Sequence, residues 1–312
     1  MLDVTTDPRE RRAAFRKALD TGKLQRFAGS FSPFVARLCE QIGFDGIYVP
    51  GASLANDLAL PDIALTTLTE VNTRAQQIVR ATNLPTVLDA DTGFGPPQSV
   101  YRTAYEMDAA GISCIHIEDQ VEPKRCGHLD NKVICSREVM AQRIRAAQDG
   151  KRDTNFMVMA RTDARAVEGL DAAVERAKAY VDAGADAIFA EAMHDESEIA
   201  AMRAAFDVPL LVNMTAFGQS KLLHKDQLQD LGVNIVIYPN TAFRLAMKAV
   251  EDGMKRLFDE GIQTGFIDDL QRRSRLYEIL DYEAYNRFDE TTFNFDVPDG
   301  DGRTKGQVKA VE

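Results

Sequence analysis

Eight short apolar runs recur along the chain, RFAGSF, GIYVPG, TVLDADTG, SCIHIEDQ, NFMVMARTD, AIFAEA, PLLVNMT and VNIVIYP, and each gives way to polar or glycine-containing sequence. Between them apolar residues return every three or four positions, as in FVARLCEQIG, QSVYRTAYEMDAAG and GLDAAVERAKAYVDAGA, the spacing of a helix that buries one face. The endings DAAGIS and DAGADA use one device twice: glycine closes a helix, and a step of two or three residues leads into the next strand. Eight strand and helix alternations in one chain predict an α/β fold of the (β/α)8 barrel type. A doubly wound open sheet is the competing architecture, and its GxGxxG after the first strand is missing.

From Ala242 onward the texture changes. AFRLAMKAVEDGMKRLFDEG and DDLQRRSRLYEILDYEAYNRFDE are helical by periodicity, and DVPDGDGRTKGQVKAVE is polar throughout. The expected organisation is a single barrel domain over 1–290 with additional C-terminal helices, followed by a flexible polar tail over 291–312.

Charge narrows the partners. Lys plus Arg number 37 against 48 Asp plus Glu, a net charge of -11 with no compensating basic stripe, so neither nucleic acid nor an anionic membrane is expected. No apolar run approaches the ~20 residues of a membrane span, and the start MLDVTTDPRERRAAF has no apolar segment behind its charges; a cytoplasmic chain is expected. The four cysteines, Cys39, Cys114, Cys126 and Cys135, show neither a metal-type pair nor the density of a disulfide framework.

The chemistry gathers where the apolar runs end, the face on which a barrel carries its site. Asp89 and Asp91 follow the third run, Glu118 and Asp119 the fourth, Arg161 and Asp163 the fifth, Glu191 the sixth and Asn213 the seventh. Charges at the ends of buried segments are costly unless a counter-ion or a metal neutralises them. Asp89 and Asp91 share one face of an extended segment; with Glu118 and with Asp62 from LALPDIAL they form an all-oxygen set suited to Mg2+ or Mn2+. A cluster balanced by Arg161 and Lys124 alone is the plainer alternative. A metal of this kind implies a small, anionic, oxygen-rich substrate. Arg161 and Arg244 suit its carboxylates, although Arg244, at the opening of a helix, also reads as an ordinary surface residue. Asn213 and Thr215 supply uncharged hydrogen bonds. The loop PKRCGHLDNK places Cys126 between Arg125 and Gly127 with Lys124 and His128 close in sequence, a field expected to lower its thiol pKa or to let it deliver a proton. A cysteine that merely packs is the competing reading.

On the stretches YVPGASLANDLALPDIALTTLTE, LDADTGFG, HIEDQVEPKRCGHLDNK, MARTDARAVEGLDAAVERAKAYVDAGAD, FAEA, VNMTAFG and YPNTAFR, the chain resembles the isocitrate lyase and phosphoenolpyruvate mutase superfamily, and within it the 2-methylisocitrate lyase branch. KRCGH is the most specific of these. The resemblance implies a barrel whose last helix is exchanged between subunits of a homo-oligomer, a tetramer built from dimers. It implies Mg2+-dependent cleavage of a 2-hydroxy di- or tricarboxylate by retro-aldol chemistry, 2-methylisocitrate to pyruvate and succinate first, with 2,3-dimethylmalate cleavage or oxaloacetate hydrolysis or decarboxylation as alternatives. A non-catalytic carboxylate-binding barrel is the alternative of another class. Carried onto this chain, Asp89 is the metal-binding carboxylate, with Asp62, Asp91 and Glu118 acting through water. Cys126 is the proton donor to the departing carbanion, with Lys124 and His128 shaping its field. Arg161 faces the keto acid half, and Glu191, Asn213 and Arg244 complete the polar wall. Tyr48, Gly51, Ala52, Gly127 and Pro239 fall in the matching stretches and are expected to touch substrate, as is Asp91. Two positions depart from the pattern: Pro50 stands where a serine is expected, and Ala216 where a glutamate is expected.

Overall fold

The computed structural model describes residues 4–128 and 131–292. Each of the eight apolar runs lies on a strand: β1 Gln25–Gly29, β2 Gly46–Val49, β3 Thr86–Asp89, β4 Cys114–Glu118, β5 Met157–Thr162, β6 Ala187–Ala190, β7 Leu210–Asn213 and β8 Ile235–Tyr238. They pair in parallel in chain order, and β8 pairs back onto β1 to close the barrel. Continuous apolar runs are what such strands need, because one face packs on the helices and the other fills the barrel. Ile115 and Ile117 of β4 pack outward with the helices, whereas Cys114 joins Phe27, Val87 and Met157 in a separate interior cluster.

Local signals set the boundaries of the helices. Helix Pro33–Ile42 starts at Ser32, whose hydroxyl accepts from Val35 N–H, and ends at Gly43 in the left-handed region (φ 97°). Helix Leu68–Val79 opens with a capping box between Thr67 and Glu70. Helix Pro8–Asp20 adds Phe15 and Leu19 to the interior cluster. Its Arg12, buried, donates to Asp108, Asp153 and the Ile112 carbonyl, which ties it to the barrel wall.

The described chain divides into two compact units, Thr6–Phe243 with the barrel and a second unit that begins at Arg244. The division falls inside the helix Thr241–Glu260, whereas the sequence reading puts its boundary at 290, within the helix Tyr282–Thr292. Of the expected polar tail, residues 293–312 lie outside the described residues. In the second unit, helices Arg273–Leu280 and Tyr282–Thr292 follow Thr241–Glu260, and the Tyr277 and Tyr282 rings lie 3.9 Å apart. No helix among the described residues is long and apolar enough to cross a membrane.

Candidate active site

Strand alternation builds the site. Side chains at every second position enter the barrel, so the inward series ends in Asp89 on β3, Glu118 on β4, Arg161 on β5 and Asn213 on β7, with Glu191 directly after β6. The register sets Asp89 beside His116 and Glu118 beside Arg161. All are buried. One more turn of backbone adds Asp91, in the left-handed region at φ 48°, whose N–H donates to Asp89 Oδ1 at 3.1 Å.

Asp89, Asp91 and Glu118 share this wall with two cations. Lys124 pairs with Asp62 and lies 2.8 Å from Asp91 Oδ1. Arg161 donates to both oxygens of Asp163 and lies 3.3 Å from Glu118 Oε2 and 3.3 Å from Glu191 Oε2. Burial acts to raise the Asp89 pKa, but His116, Lys124, Arg161 and the Asp91 N–H hold it below its ordinary value. Burial, reinforced by Asp89, pushes Asp91 up to about 6 against the pull of Lys124. Burial raises Glu118 well above the usual carboxylate range although Arg161 opposes it. The three carboxylates thus differ in character, with Asp89 the most readily ionised.

Among the described residues, no three His, Cys, Asp or Glu side chains are arranged to hold a metal ion together. The donor set nevertheless fits a hydrated Mg2+ or Mn2+, which takes one or two carboxylates directly and meets the others through water. Among the described residues neither oxygen of Glu118 has a hydrogen-bond partner. The backbone at Gly51 keeps the approach to the carboxylates open, since a Cβ there would stand 3.0 Å from Asp89 Oδ2 and 3.5 Å from Asp91 Oδ1.

The loop after β4 is seated on this ring. Arg143 donates to the carbonyls of Glu118 and Gln120 at its base, and Gln120 exchanges two hydrogen bonds with the Arg125 backbone. Gly127 leaves no room for a side chain, as a Cβ would lie 2.3 Å from Arg161 Nη2 and 2.6 Å from Glu191 Cγ. Lys132 donates to the Gly127 carbonyl. His128 Nδ1 accepts from Gln219 N–H at 3.0 Å, so its Nε2 carries the proton and donates to Glu191 Oε1 at 3.1 Å; Asn213 Nδ2 lies 3.2 Å from the same Nε2. Burial acts to raise the Glu191 pKa, and Arg161 and His128 outweigh it, holding the group at about 2.

Cys126 is half-buried between these anchored residues. Its thiol pKa is raised by burial, against a hydrogen bond from the His128 backbone. The sequence reading expects a lowered value from the neighbouring cations; instead Lys124 is committed to carboxylates, and desolvation of the thiolate prevails.

Of the remaining expected residues, Tyr48 and Pro239 are buried at the ends of β2 and β8, Ala52 is half-buried after Gly51, and Thr215 is buried after β7. The Pro239 carbonyl packs on Gly29, where a Cβ would meet it at 1.7 Å. Arg244 is exposed and belongs to the other unit. The sequence reading does not single out His116. Its Nε2 lies 2.8 Å from the Tyr48 hydroxyl oxygen and 3.8 Å from Asp89 Oδ1, and burial lowers its pKa to about 4. The available signal is a histidine at an inward position of an otherwise apolar strand. Asp119 faces away from the ring, accepting from Thr162 Oγ1, Tyr180 Oη and Asp163 N–H at 2.8, 2.8 and 2.9 Å.

The family model described as phosphoenolpyruvate phosphomutase matches residues 15–258. A Corynebacterium glutamicum protein named probable 2-methylisocitrate lyase 2 is 53% identical over 288 residues, covering 92% of this chain and 94% of the relative. Among solved structures, a 2,3-dimethylmalate lyase described as a PEP mutase/isocitrate lyase superfamily member superposes with a TM-score of 0.85 at 29% identity, over 91% of this chain and 95% of its own. A phosphonopyruvate hydrolase in complex with oxalate and Mg2+ gives 0.82 at 32% identity, over 91% and 99%.

Proposed function

This chain belongs to the phosphoenolpyruvate mutase and isocitrate lyase superfamily, and from that premise we propose that it is a divalent-metal-dependent carbon–carbon lyase acting on a 2-hydroxy di- or tricarboxylate, with 2-methylisocitrate as substrate and pyruvate and succinate as products. The observation that carries the reading is the seating of the loop after β4. Lys124 on Asp62 and Asp91, Gly127 against Arg161 and Glu191, and His128 on Glu191 together hold Cys126 at the carboxylate ring. The raised pKa of its thiol keeps the proton in place until carbon needs it.

Retro-aldol cleavage releases the proton of the substrate hydroxyl to water, turns that oxygen into the carbonyl of the keto acid, and leaves the electron pair of the broken bond on the carbon next to a carboxylate. Asp89, with Asp62, Asp91 and Glu118 around it, would hold Mg2+ or Mn2+, which when bound supplies a Lewis acid for the hydroxyl and carboxylate oxygens. Arg161 keeps a positive charge beside the keto acid half while Asp163 fixes its orientation. Cys126 gives its proton to the carbanion, and the thiolate regains one from solvent over the cycle. Glu191 and the Gln219 N–H orient His128 and thereby the loop, and Asn213 donates to Glu191.

We read the protein as a cytoplasmic homo-oligomer. Thiols stay reduced in the cytosol, as the Cys126 chemistry requires. The helix Thr241–Glu260 exposes Leu245, Val250, Met254 and Phe258, an apolar stripe suited to a second copy of the chain.

Steady-state turnover tests the activity with a panel of 2-methylisocitrate, 2,3-dimethylmalate and oxaloacetate. Malates with small alkyl groups belong in it because Pro50 offers neither hydroxyl nor N–H and Ala216 no carboxylate to the pocket. Pyruvate and succinate should form from 2-methylisocitrate, cease with EDTA and return with Mg2+ or Mn2+. Full activity after exhaustive chelation, or no turnover of any 2-hydroxy acid, overturns the reading.

A further inference from the structure

We propose that His116 is a positioning residue: as the Nε2–H tautomer it donates to the Tyr48 oxygen, and so turns the Tyr48 phenol into a hydrogen-bond donor toward a substrate oxygen beside Asp89. The proposal rests on the lyase reading only for the reaction that this donor serves.

One proton lies in the 2.8 Å contact between Tyr48 Oη and His116 Nε2, and the surroundings decide which side supplies it. Tyr48 is 3% exposed and His116 0%. Among the described residues His116 Nδ1 has no hydrogen-bond partner. If the phenol donated, the imidazole proton would sit on Nδ1, leaving a buried N–H without an acceptor, one of the rarer and costlier defects in a folded chain. The bare lone pair of Nε2 would then also face Asp89 Oδ1 at 3.8 Å. If His116 donates, both difficulties ease. Nε2–H points at the phenol oxygen with a carboxylate beside it, and only a lone pair is left unmet at Nδ1. A doubly protonated ring restores the orphan N–H at Nδ1.

The ring has little freedom to choose another arrangement. Its plane lies within 8° of parallel to that of Tyr48, and it meets Phe189 edge to face at 5.1 Å. Phe189 is covered in turn by the Arg161 guanidinium, 5.1 Å from its centroid.

With its oxygen accepting from His116, Tyr48 has its own proton to give. No other hydrogen bond engages its hydroxyl among the described residues. The phenol oxygen lies 2.8 Å from His116 Nε2, itself 3.8 Å from Asp89 Oδ1, which places it beside the carboxylate ring. A neutral donor at that point stabilises an oxygen that gains negative charge without adding a second cation beside Arg161.

The test begins with the wild-type protein and needs no substrate. The chain contains four histidines, so nitrogen-15 NMR of histidine-labelled enzyme, assigned with a His116→Gln sample, reads the tautomer directly. A protonated Nε2 and unprotonated Nδ1 are expected, and a protonated Nδ1 overturns the proposal. Kinetics with 2-methylisocitrate supply the second arm. Tyr48→Phe and His116→Met should each lower kcat by about 10- to 100-fold with KM changed little, and the double variant should be no slower than Tyr48→Phe alone. His116→Gln, whose amide reaches the place of Nε2, should recover most of the loss. Equal rates for the Gln and Met variants, or additive losses in the double variant, overturn the proposal. Failure of the lyase reading would appear instead as a wild type inactive on every 2-hydroxy acid, and would leave the tautomer measurement untouched.

Discussion

The Lys124 ammonium lies 2.8 Å from Asp91 Oδ1 with its side chain 3% exposed, and it pairs with Asp62 as well. Burial disfavours the charge, yet Asp91, Glu118, Asp89 and Asp62 together raise the Lys124 pKa well above its ordinary value. Lys124→Met removes one partner and leaves the carboxylates facing one another. Breaking a buried pair in this way costs about 3–5 kcal/mol. The loss should depend on pH with a definite sign. Asp91 in the folded protein titrates at about 6, above the ~3.9 of an unfolded chain, and losing Lys124 lifts it further. A carboxyl raised on folding contributes stability at low pH and loses it as pH rises through the folded pKa. Urea unfolding of the metal-free variant should therefore show a larger deficit at pH 8 than at pH 5. Wild-type stability at pH 8 would remove Lys124 from the charge balance of the ring.

Glu191 has the opposite sign. Burial acts to raise its pKa, but Arg161 and His128 hold it near 2, below the ordinary 4.5. Its contribution to stability is present above 4.5 and is lost as pH falls toward 2. Glu191→Gln keeps the shape and loses this term, on the order of 3 kcal/mol at pH 7. Urea unfolding of wild type and variant at pH 7, 5, 4 and 3 should show a constant gap above pH 5 that narrows below it. A gap independent of pH would mean that packing, not charge, accounts for the loss.

How much of this the sequence discloses follows from where the determining contacts lie. A parallel barrel strand is apolar on both faces, so TVLD and CIHIE stand out without any knowledge of their partners. Once the strands are placed, period two delivers Asp89, Glu118, Arg161 and Asn213 to one layer, since each ends its inward series. His116 escapes notice because a histidine in an apolar strand looks like packing until its distance to Tyr48 is known. The sign of the Cys126 shift is also hidden. Lys124 and Arg125 are its neighbours in sequence, but Lys124 reaches across to Asp62 from another connection, and burial is a property of the assembled loop. The grip of Asp163 on Arg161 was within reach, two residues along the same face.

The helix Thr241–Glu260 carries Val250, Met254 and Phe258 at a spacing of four, with Phe258 89% exposed. Residues so spaced share one helix face. Light scattering coupled to size exclusion should give a mass above the 34.6 kDa of one chain, and Met254→Asp with Phe258→Asp should reduce it by desolvating charge in the interface. A monomeric wild type, or a doubly substituted protein of unchanged mass, would assign the stripe no role in assembly.

Cys126 decides whether the loop after β4 performs chemistry or only covers it. Burial holds its thiol protonated, the state required of an acid that meets a carbanion. Cys126→Ser preserves size and a hydroxyl proton but raises the donor pKa far above the thiol's ~8.5. Proton delivery should become the slow step, and kcat should fall about 100-fold or more. Affinity for an unreactive dicarboxylate should hold, because Asp89, Glu118 and Arg161 are untouched. The melting temperature should also hold, since a half-buried hydroxyl in place of a thiol disturbs little packing. A cysteine that served only to pack would give the reverse, kcat near wild type with a lower melting temperature. The three measurements together separate the cases, and a nearly full kcat in Cys126→Ser would leave Lys124, Gly127 and His128 as the anchors of a lid without an acid.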